Sequence, residues 1–392
     1  MSANRTVSRR RFVGGLTTTL GSISLASDSA LWAQRGVATE TAAPTTGSPA
    51  ANGPTDEYDS FAKLAGNENP WGPPDSVVQA MQGAFKYANR YGYPDGAIVN
   101  AIAQHHGVKP ESILLGAGSS ELLNVVGLTF LQDGKKVVGV DPTYVSVYQH
   151  ATSLKSAAIR VPLLSDYRQD IPALIQAIRR NHREVGFLFF CNPNNPTGLV
   201  VPKQEVRQLL DAIPEDVPVL IDEAYHHFVD DPAYATSVPY VLEGRPVIIT
   251  RTFSKISGLA GMRLGYAVTT PELVQRMRPL MTGSINAVVK WGGVAALKDS
   301  AAQERVKRMT MVQRLKTTKQ LLSLGYSAIP SECNFFMLHI RRPVVPVIEE
   351  FRSKGVLVGR PFPPMLEHLR VSIGTEEEMR RFMVAFKEIM AV

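Results

Sequence analysis

Four short motifs set reactive or anion-binding side chains just beyond apolar runs. In Arg251-Thr252-Phe253-Ser254-Lys255, followed by Gly258, Gly261 and Arg263, the lysine amine can form an imine, and Ser254 and Arg263 can donate to a phosphate. In Asp222-Glu223-Ala224-Tyr225 a carboxylate precedes a phenol. Such an acid beside a bound ring can keep a pyridine nitrogen protonated, because opposite charges stabilise each other's ionised forms. The run Asn192-Pro193-Asn194-Asn195-Pro196-Thr197-Gly198 uses two prolines and three amides to fix a turn that presents a carboxamide. In Gly116-Ala117-Gly118-Ser119-Ser120-Glu121, small residues free backbone N–H groups at a helix start, where a phosphate dianion is favoured.

Taken singly, each motif also has a structural reading: a solvated surface lysine, an N-cap acid, a rigid turn, or an ordinary helix start with Glu121 in its first turn. Their shared placement favours chemistry. Open α/β sheets bind ligands at the carboxyl ends of their strands, and each of these motifs follows a strand-like run.

The positioning elements can be read from periodicity. Ile113 to Leu115, Val137 to Val140, Phe187 to Phe190, Val217 to Ile221 and Val247 to Thr250 are too short for helices and mostly end in Gly, Asn or Asp. Between them, Glu121 to Leu131, Ile171 to Arg180 and Gln204 to Ala212 have helical length and spacing. The pattern predicts an α/β large domain with a mostly parallel sheet covered by helices. After about Pro271, long helical segments, a strand over Asn334 to Ile340 and a helix over Glu376 to Met390 predict a smaller α+β domain. The expected division is 57–90 as an N-terminal segment packing with the small domain, 91–280 as the large domain and 281–392 as the small one.

Composition narrows the function. The 392 residues carry a formal charge of +7, but removing Arg5, Arg9, Arg10, Arg11 and Asp28 from the first 34 residues lowers it to +4. The remaining basic residues are scattered, so no nucleic-acid footprint is expected, and no metal-ligand spacing stands out. Only Cys191 and Cys333 occur, each in an apolar run, which excludes a disulfide framework and reads as two buried thiols, with a single bridge between them as the alternative in an oxidising compartment.

The N-terminus reads as an address. Ser8-Arg9-Arg10-Arg11-Phe12-Val13 precedes a weakly apolar stretch interrupted by Thr17, Thr18, Thr19, Ser22, Ser24 and Asp28, too polar and short for a membrane span. It resembles a twin-arginine export signal over 1–34, followed by a Thr-, Ala-, Pro- and Gly-rich flexible linker over 35–56. A periplasmic or otherwise extracytoplasmic location is expected, with no membrane contact beyond the export machinery.

Together the motifs resemble the fold-type I pyridoxal-phosphate (PLP) aminotransferases, and within them the histidinol-phosphate aminotransferase branch. The match extends from Asn67-Glu68-Asn69-Pro70-Trp71-Gly72-Pro73 through Tyr93-Pro94-Asp95 and the four motifs to Pro330-Ser331, Asn334-Phe335 and Leu369-Arg370-Val371-Ser372. The resemblance implies that Lys255 holds PLP as a Schiff base and moves the proton, with Asp222 on the pyridine nitrogen. Asn195 and Tyr225 would bond the ring hydroxyl, and Tyr144 would stack on the ring. Gly118, Ser119, Ser120, Ser254 and Arg263 would hold the phosphate, and Tyr93 would reach it from a neighbouring subunit, implying a homodimer. Arg370 would clamp the substrate carboxylate, with Asn195 and Arg360 beside it. An amino group would pass from an L-amino acid or related amine to a 2-oxo acid.

The match departs in one place. Histidinol-phosphate enzymes usually carry an arginine directly after a Gly-Val-x-Val segment, where it helps bind the substrate phosphate; here Gly355-Val356-Leu357-Val358 is followed by Gly359, with Arg360 one place later and then Pro361-Phe362-Pro363-Pro364. Histidinol phosphate is therefore not carried over as the substrate. Two other readings remain open: an exported PLP enzyme of another type (amine oxidation, decarboxylation or elimination), or a non-catalytic binder on the same fold. His226 and His227 read as packing or surface residues, and Trp71 as a candidate for the substrate entrance.

Overall fold

In the computed structural model, residues 57–392 are described, so the export signal and linker lie outside the described residues. The strands are β1 (Ala62–Leu64), β2 (Ile113–Gly116), β3 (Lys136–Asp141), β4 (Ala158–Pro162), β5 (Val185–Cys191), β6 (Val219–Asp222), β7 (Val247–Thr252), β8 (Gly265–Val268), β9 (Phe335–His339), β10 (Val356–Val358) and β11 (His368–Ser372). Seven of them form one sheet in the order β2-β8-β7-β6-β5-β3-β4. Within it β8 alone runs antiparallel to its neighbours.

Strand alternation explains how this sheet is covered on both faces. Along β5 every residue is buried. Leu188 and Phe190 join one core with the helices Ile171–Arg180, Lys203–Ala212 and Ala287–Lys298, while Phe187, Phe189 and Cys191 join another with Ser119–Phe130 and Ser146–Ser153. A further core lies around β1, β9, β10 and β11 and the helices Val344–Ser353 and Glu376–Met390. Local signals set the helix starts: Asp170 accepts from Ala173 N at 2.9 Å, and Thr375 and Glu378 form a capping box.

Two expected boundaries move. Helix Ala287–Lys298 contributes Val289 and Ala296 to the main core, so the second core does not begin at 281. The segment 57–90 is divided: β1 pairs in parallel with β10, whereas Val77 of helix Asp75–Ala84 packs into the main core, where a Cβ at Gly292 would lie 2.8 Å from Met81. In both cases an apolar helix face carries no mark of which core it will meet. Cys191 and Cys333 are buried and form no disulfide. Among the described residues no helix is long and apolar enough to cross a membrane.

Candidate active site

The ends of β2, β5, β6 and β7 deliver the four motifs to one cavity. It is lined by Gly66, Glu68, Ser119, Ser120, Tyr144, Asn195, Asp222, Ala224, Tyr225, Thr252, Ser254, Lys255, Ala260 and Arg263.

On one side lies an anion cradle. Gly118, at φ 81°, precedes helix Ser119–Phe130, and a Cβ there would stand 2.1 Å from Arg263 Nη2. The absent side chain thus makes room for the guanidinium. Arg263 donates to Ser120 Oγ at 2.9 Å and to Ser254 Oγ at 3.4 Å. Gly265 lets β8 approach closely, since a Cβ there would be 2.5 Å from Ser119 N. Serine hydroxyls, a helix N-terminus and a guanidinium converge, a donor set that fits a phosphate dianion.

Across the cavity, Asp222 is buried, and its Oδ1 accepts from Thr250 Oγ1 and Ala224 N, each at 3.2 Å. Burial pushes its carboxyl up to about 6, against the pull of those two bonds. Lys255 Nζ donates to Gly66 O at 3.0 Å and lies 5.8 Å from the Tyr225 ring centroid. Desolvation lowers its amine to about 8. A buried carboxylate and a partly neutral amine therefore face one cavity beside an anion cradle, the set a pyridine-aldehyde phosphate requires.

The turn after β5 is held by its own amides. Asn192 pairs both ways with Val201, and Asn194 accepts from Thr143 Oγ1 at 2.7 Å. Gly198 passes Ser331 so closely that a Cβ would be 2.1 Å from its Oγ. This frame presents Asn195, whose Nδ2 donates to Tyr225 OH at 3.3 Å and whose Oδ1 accepts from Arg370 Nη1 at 2.9 Å. Arg370 is buried, donates Nη2 to Ala65 O at 2.5 Å, lies 4.6 Å from the Phe362 ring and leaves Nε without a partner. Burial lowers its guanidinium to about 10, so it stays charged near neutrality.

Gly118, Arg370, Tyr93 and Arg360 are not among the lining residues. Tyr93 donates to Ile285 O at 2.8 Å, and Arg360 donates to Pro361 O at 2.9 Å with its guanidinium 4.3 Å from the Phe362 ring. Trp71 packs against the buried cluster that includes Tyr225 and Phe335 and is not among the lining residues. His226 and His227 lie with ring centroids 3.7 Å apart and planes tilted by 44°, and neither is among the lining residues.

Three site residues were not given roles by sequence reading. Asn67, at φ 55° and buried, donates Nδ2 to Tyr225 OH at 3.0 Å, a shorter bond than that from Asn195. Its backbone is pinned by Ser372 and Asn334. Gly66 and Glu68 line the cavity. The Asn67-Glu68-Asn69-Pro70 signature was visible; its position beside Lys255 depends on the β1–β10 pairing.

This fold and site define a fold-type I PLP-dependent enzyme. Residues 60–386 match the family model for aminotransferase class I and II, and the chain belongs to that family. It is 38% identical to histidinol-phosphate aminotransferase of Moorella thermoacetica, over 84% of this chain and 85% of that one. It is 36% identical to the same-named protein of Symbiobacterium thermophilum, over 83% and 90%. The structure of histidinol-phosphate aminotransferase from Sinorhizobium meliloti in complex with pyridoxal-5'-phosphate is similar at TM-score 0.79 and 25% identity, covering 84% of this chain and 91% of that one. The protein is thus a PLP-dependent aminotransferase.

Proposed function

We propose that the enzyme takes its amino group from a carboxylate-bearing L-amino acid, passes it to a 2-oxo acid, and works outside the cytoplasm as a homodimer. The carrying observation is Arg370: a buried guanidinium held by Asn195 and Ala65 O, with Nε still unpartnered. A planar fork so fixed suits a carboxylate, the group that donor and acceptor share.

Bound PLP supplies an electron sink for the Cα–H bond of the substrate. Asp222 keeps the ring nitrogen protonated. Lys255 would anchor the cofactor, and its amine would take the proton from the substrate Cα and deliver it to the carbon on the far side of the transferred nitrogen. Tyr225, set by its bonds from Asn195 and Asn67, would hydrogen-bond the ring hydroxyl with Asn195 beside it, and Tyr144 would cover one ring face. Ser119, Ser120, Ser254 and Arg263 hold the phosphate, with the backbone of Gly118 at the turn. Tyr93, outside its own chain's cavity, serves the site of the neighbouring subunit.

Histidinol phosphate is not the proposed donor. A Cβ at Gly359 would lie 2.9 Å from Arg370 Cβ and O, so an arginine at 359 would crowd the proposed carboxylate reader. Arg360 serves at most the entrance.

A panel of amino acids added to the PLP-loaded enzyme should shift its absorbance with release of 2-oxo acids. No shift across the panel would remove the donor assignment. Export is supported by Arg9-Arg10 ahead of Phe12. Replacing both arginines by lysine should retain the protein in the cytoplasm, and unchanged fractionation would sink the claim.

A further inference from the structure

Behind the cofactor cavity, on the opposite face of the same strands, lies a buried ion pair that takes no part in the chemistry assigned above. Successive residues of a strand point to opposite faces. Asp222, Thr250 and Thr252 turn toward the cavity side, as the Thr250–Asp222 hydrogen bond and the cavity lining require. Glu223 and Arg251, one residue along each chain segment, turn away.

Their contacts are complete. The Glu223 carboxylate accepts from Arg251 Nε at 3.1 Å, Arg251 Nη2 at 2.7 Å, Ser237 N at 2.6 Å and Thr236 Oγ1 at 2.9 Å. Its side chain is 1% exposed and that of Arg251 4%. Arg251 Nη2 also donates to Thr236 Oγ1 at 2.7 Å. On β8, Tyr266 pairs in register with Arg251, and its hydroxyl lies 2.9 Å from His106 Nε2. His105, His226, His227 and Tyr234 are the other titratable groups facing Arg251, and burial, aided by the Arg251 charge, holds the four imidazoles below their ordinary range. Glu223 N donates to Thr250 O, so the pair sits where β6 and β7 end and their loops begin.

We infer that Glu223 and Arg251 are a positioning pair: they clamp the ends of β6 and β7 from behind and so fix the carboxylate of Asp222 relative to the amine of Lys255. The inference rests on the roles proposed for those two residues. Two physical effects follow. Asp222 ends β6 and Lys255 lies on the loop leaving β7, and a misplacement of about 1 Å between such groups costs on the order of a hundredfold in rate. Arg251 also neutralises Glu223, the chain neighbour of Asp222; without it an uncompensated negative charge would favour protonation of Asp222 and weaken its hold on the ring nitrogen.

Buried ion pairs replaced together by apolar residues of similar volume often leave stability unchanged, whereas losing one partner strands a charge. The test therefore compares Glu223→Leu/Arg251→Met with Arg251→Met and Glu223→Gln, reading PLP affinity against pH by fluorescence quenching alongside thermal melts. The double variant should melt near the wild type yet bind PLP at least about tenfold more weakly through lost positioning. In Arg251→Met, the pH below which PLP binding is lost should rise by about one unit, because Glu223 is then unpaired. A purely structural pair would move the melts and leave that midpoint in place. A folded double variant with wild-type affinity, or an unmoved midpoint in Arg251→Met, overturns the inference. Should the double variant not fold, Glu223→Gln decides: it keeps the shape and removes the charge, and wild-type PLP affinity and midpoint in it overturn the inference equally. Lys255→Met tests the underlying roles separately: wild-type transamination by that variant would defeat them without touching the clamp.

Discussion

Arg370 Nη1 donates to Asn195 Oδ1 at 2.9 Å, and the same amide gives its Nδ2 to Tyr225 OH at 3.3 Å. One carboxamide thereby connects the proposed reader of the substrate carboxylate to the proposed partner of the ring hydroxyl. A substrate engaging Arg370 is registered against the cofactor position through a single rigid turn.

Arg370→Lys should therefore be a poor substitute, despite keeping the charge. A point-like ammonium cannot bond Asn195 and Ala65 O and also offer a fork to a carboxylate. The expected loss in kcat/KM is about 1.5–3 kcal/mol, roughly 10- to 150-fold, falling mainly on KM. Steady-state kinetics with an amino-acid donor measure it, and PLP affinity should hardly move.

Lys255 sets a pH dependence on cofactor loading. Its amine, lowered by desolvation to about 8, gains a free electron pair as pH rises through that value. PLP capture by the apo-protein, followed by absorbance, should accelerate with pH and level off above about 8. A midpoint near the ordinary lysine value of 10.5 would show that the pocket does not desolvate the amine.

Asp222 predicts the opposite trend for stability. Its folded carboxyl sits at about 6 against an ordinary 3.8, so the folded apo-protein binds more protons in that window than the unfolded chain. Stability from this group is full below about 4 and is lost as pH rises through about 6. Asp222→Asn removes the slope. Relative to wild type, the apo-variant should gain on the order of 3 kcal/mol between pH 4 and pH 7, measured by denaturant unfolding, while failing to support transamination.

Gly118→Ala should damage the phosphate cradle. The added Cβ collides with Arg263 Nη2, and φ 81° adds about 1–3 kcal/mol of strain for a residue with a side chain. PLP affinity should fall about tenfold or more, with inorganic phosphate losing its ability to compete with PLP for the site.

The sequence made the cofactor half of the site legible, because each of its motifs is local: a strand end, a turn and a helix start lie within a few residues of one another. Lys255, Asp222, Asn195, Ser119, Ser120, Ser254 and Arg263 could be named on that basis, and all line one cavity. The antiparallel direction of β8 was not legible, since alternation encodes a face and not a direction. Neither was the membership of helix Ala287–Lys298 in the main core. Asn67 escaped assignment for a related reason: its bond to Tyr225 exists only because chain ends far apart pair with each other. Arg360 was placed beside the substrate by its nearness to Gly359; its guanidinium lies 4.3 Å from the Phe362 ring, which Arg370 also faces at 4.6 Å.

That pairing has a consequence in time. Ala62 lies beside Val356, and Asn67 is pinned by Asn334 and Ser372. A chain emerging from the ribosome can close its seven-stranded sheet and cofactor cradle early, yet the edge of the cavity carrying Gly66, Asn67 and Glu68 must wait for residues synthesised near the end. Contacts so distant form late and slowly. A nascent chain or a C-terminally truncated one would thus own a phosphate cradle and a lysine with one wall missing, and competence arrives only when translation is nearly finished.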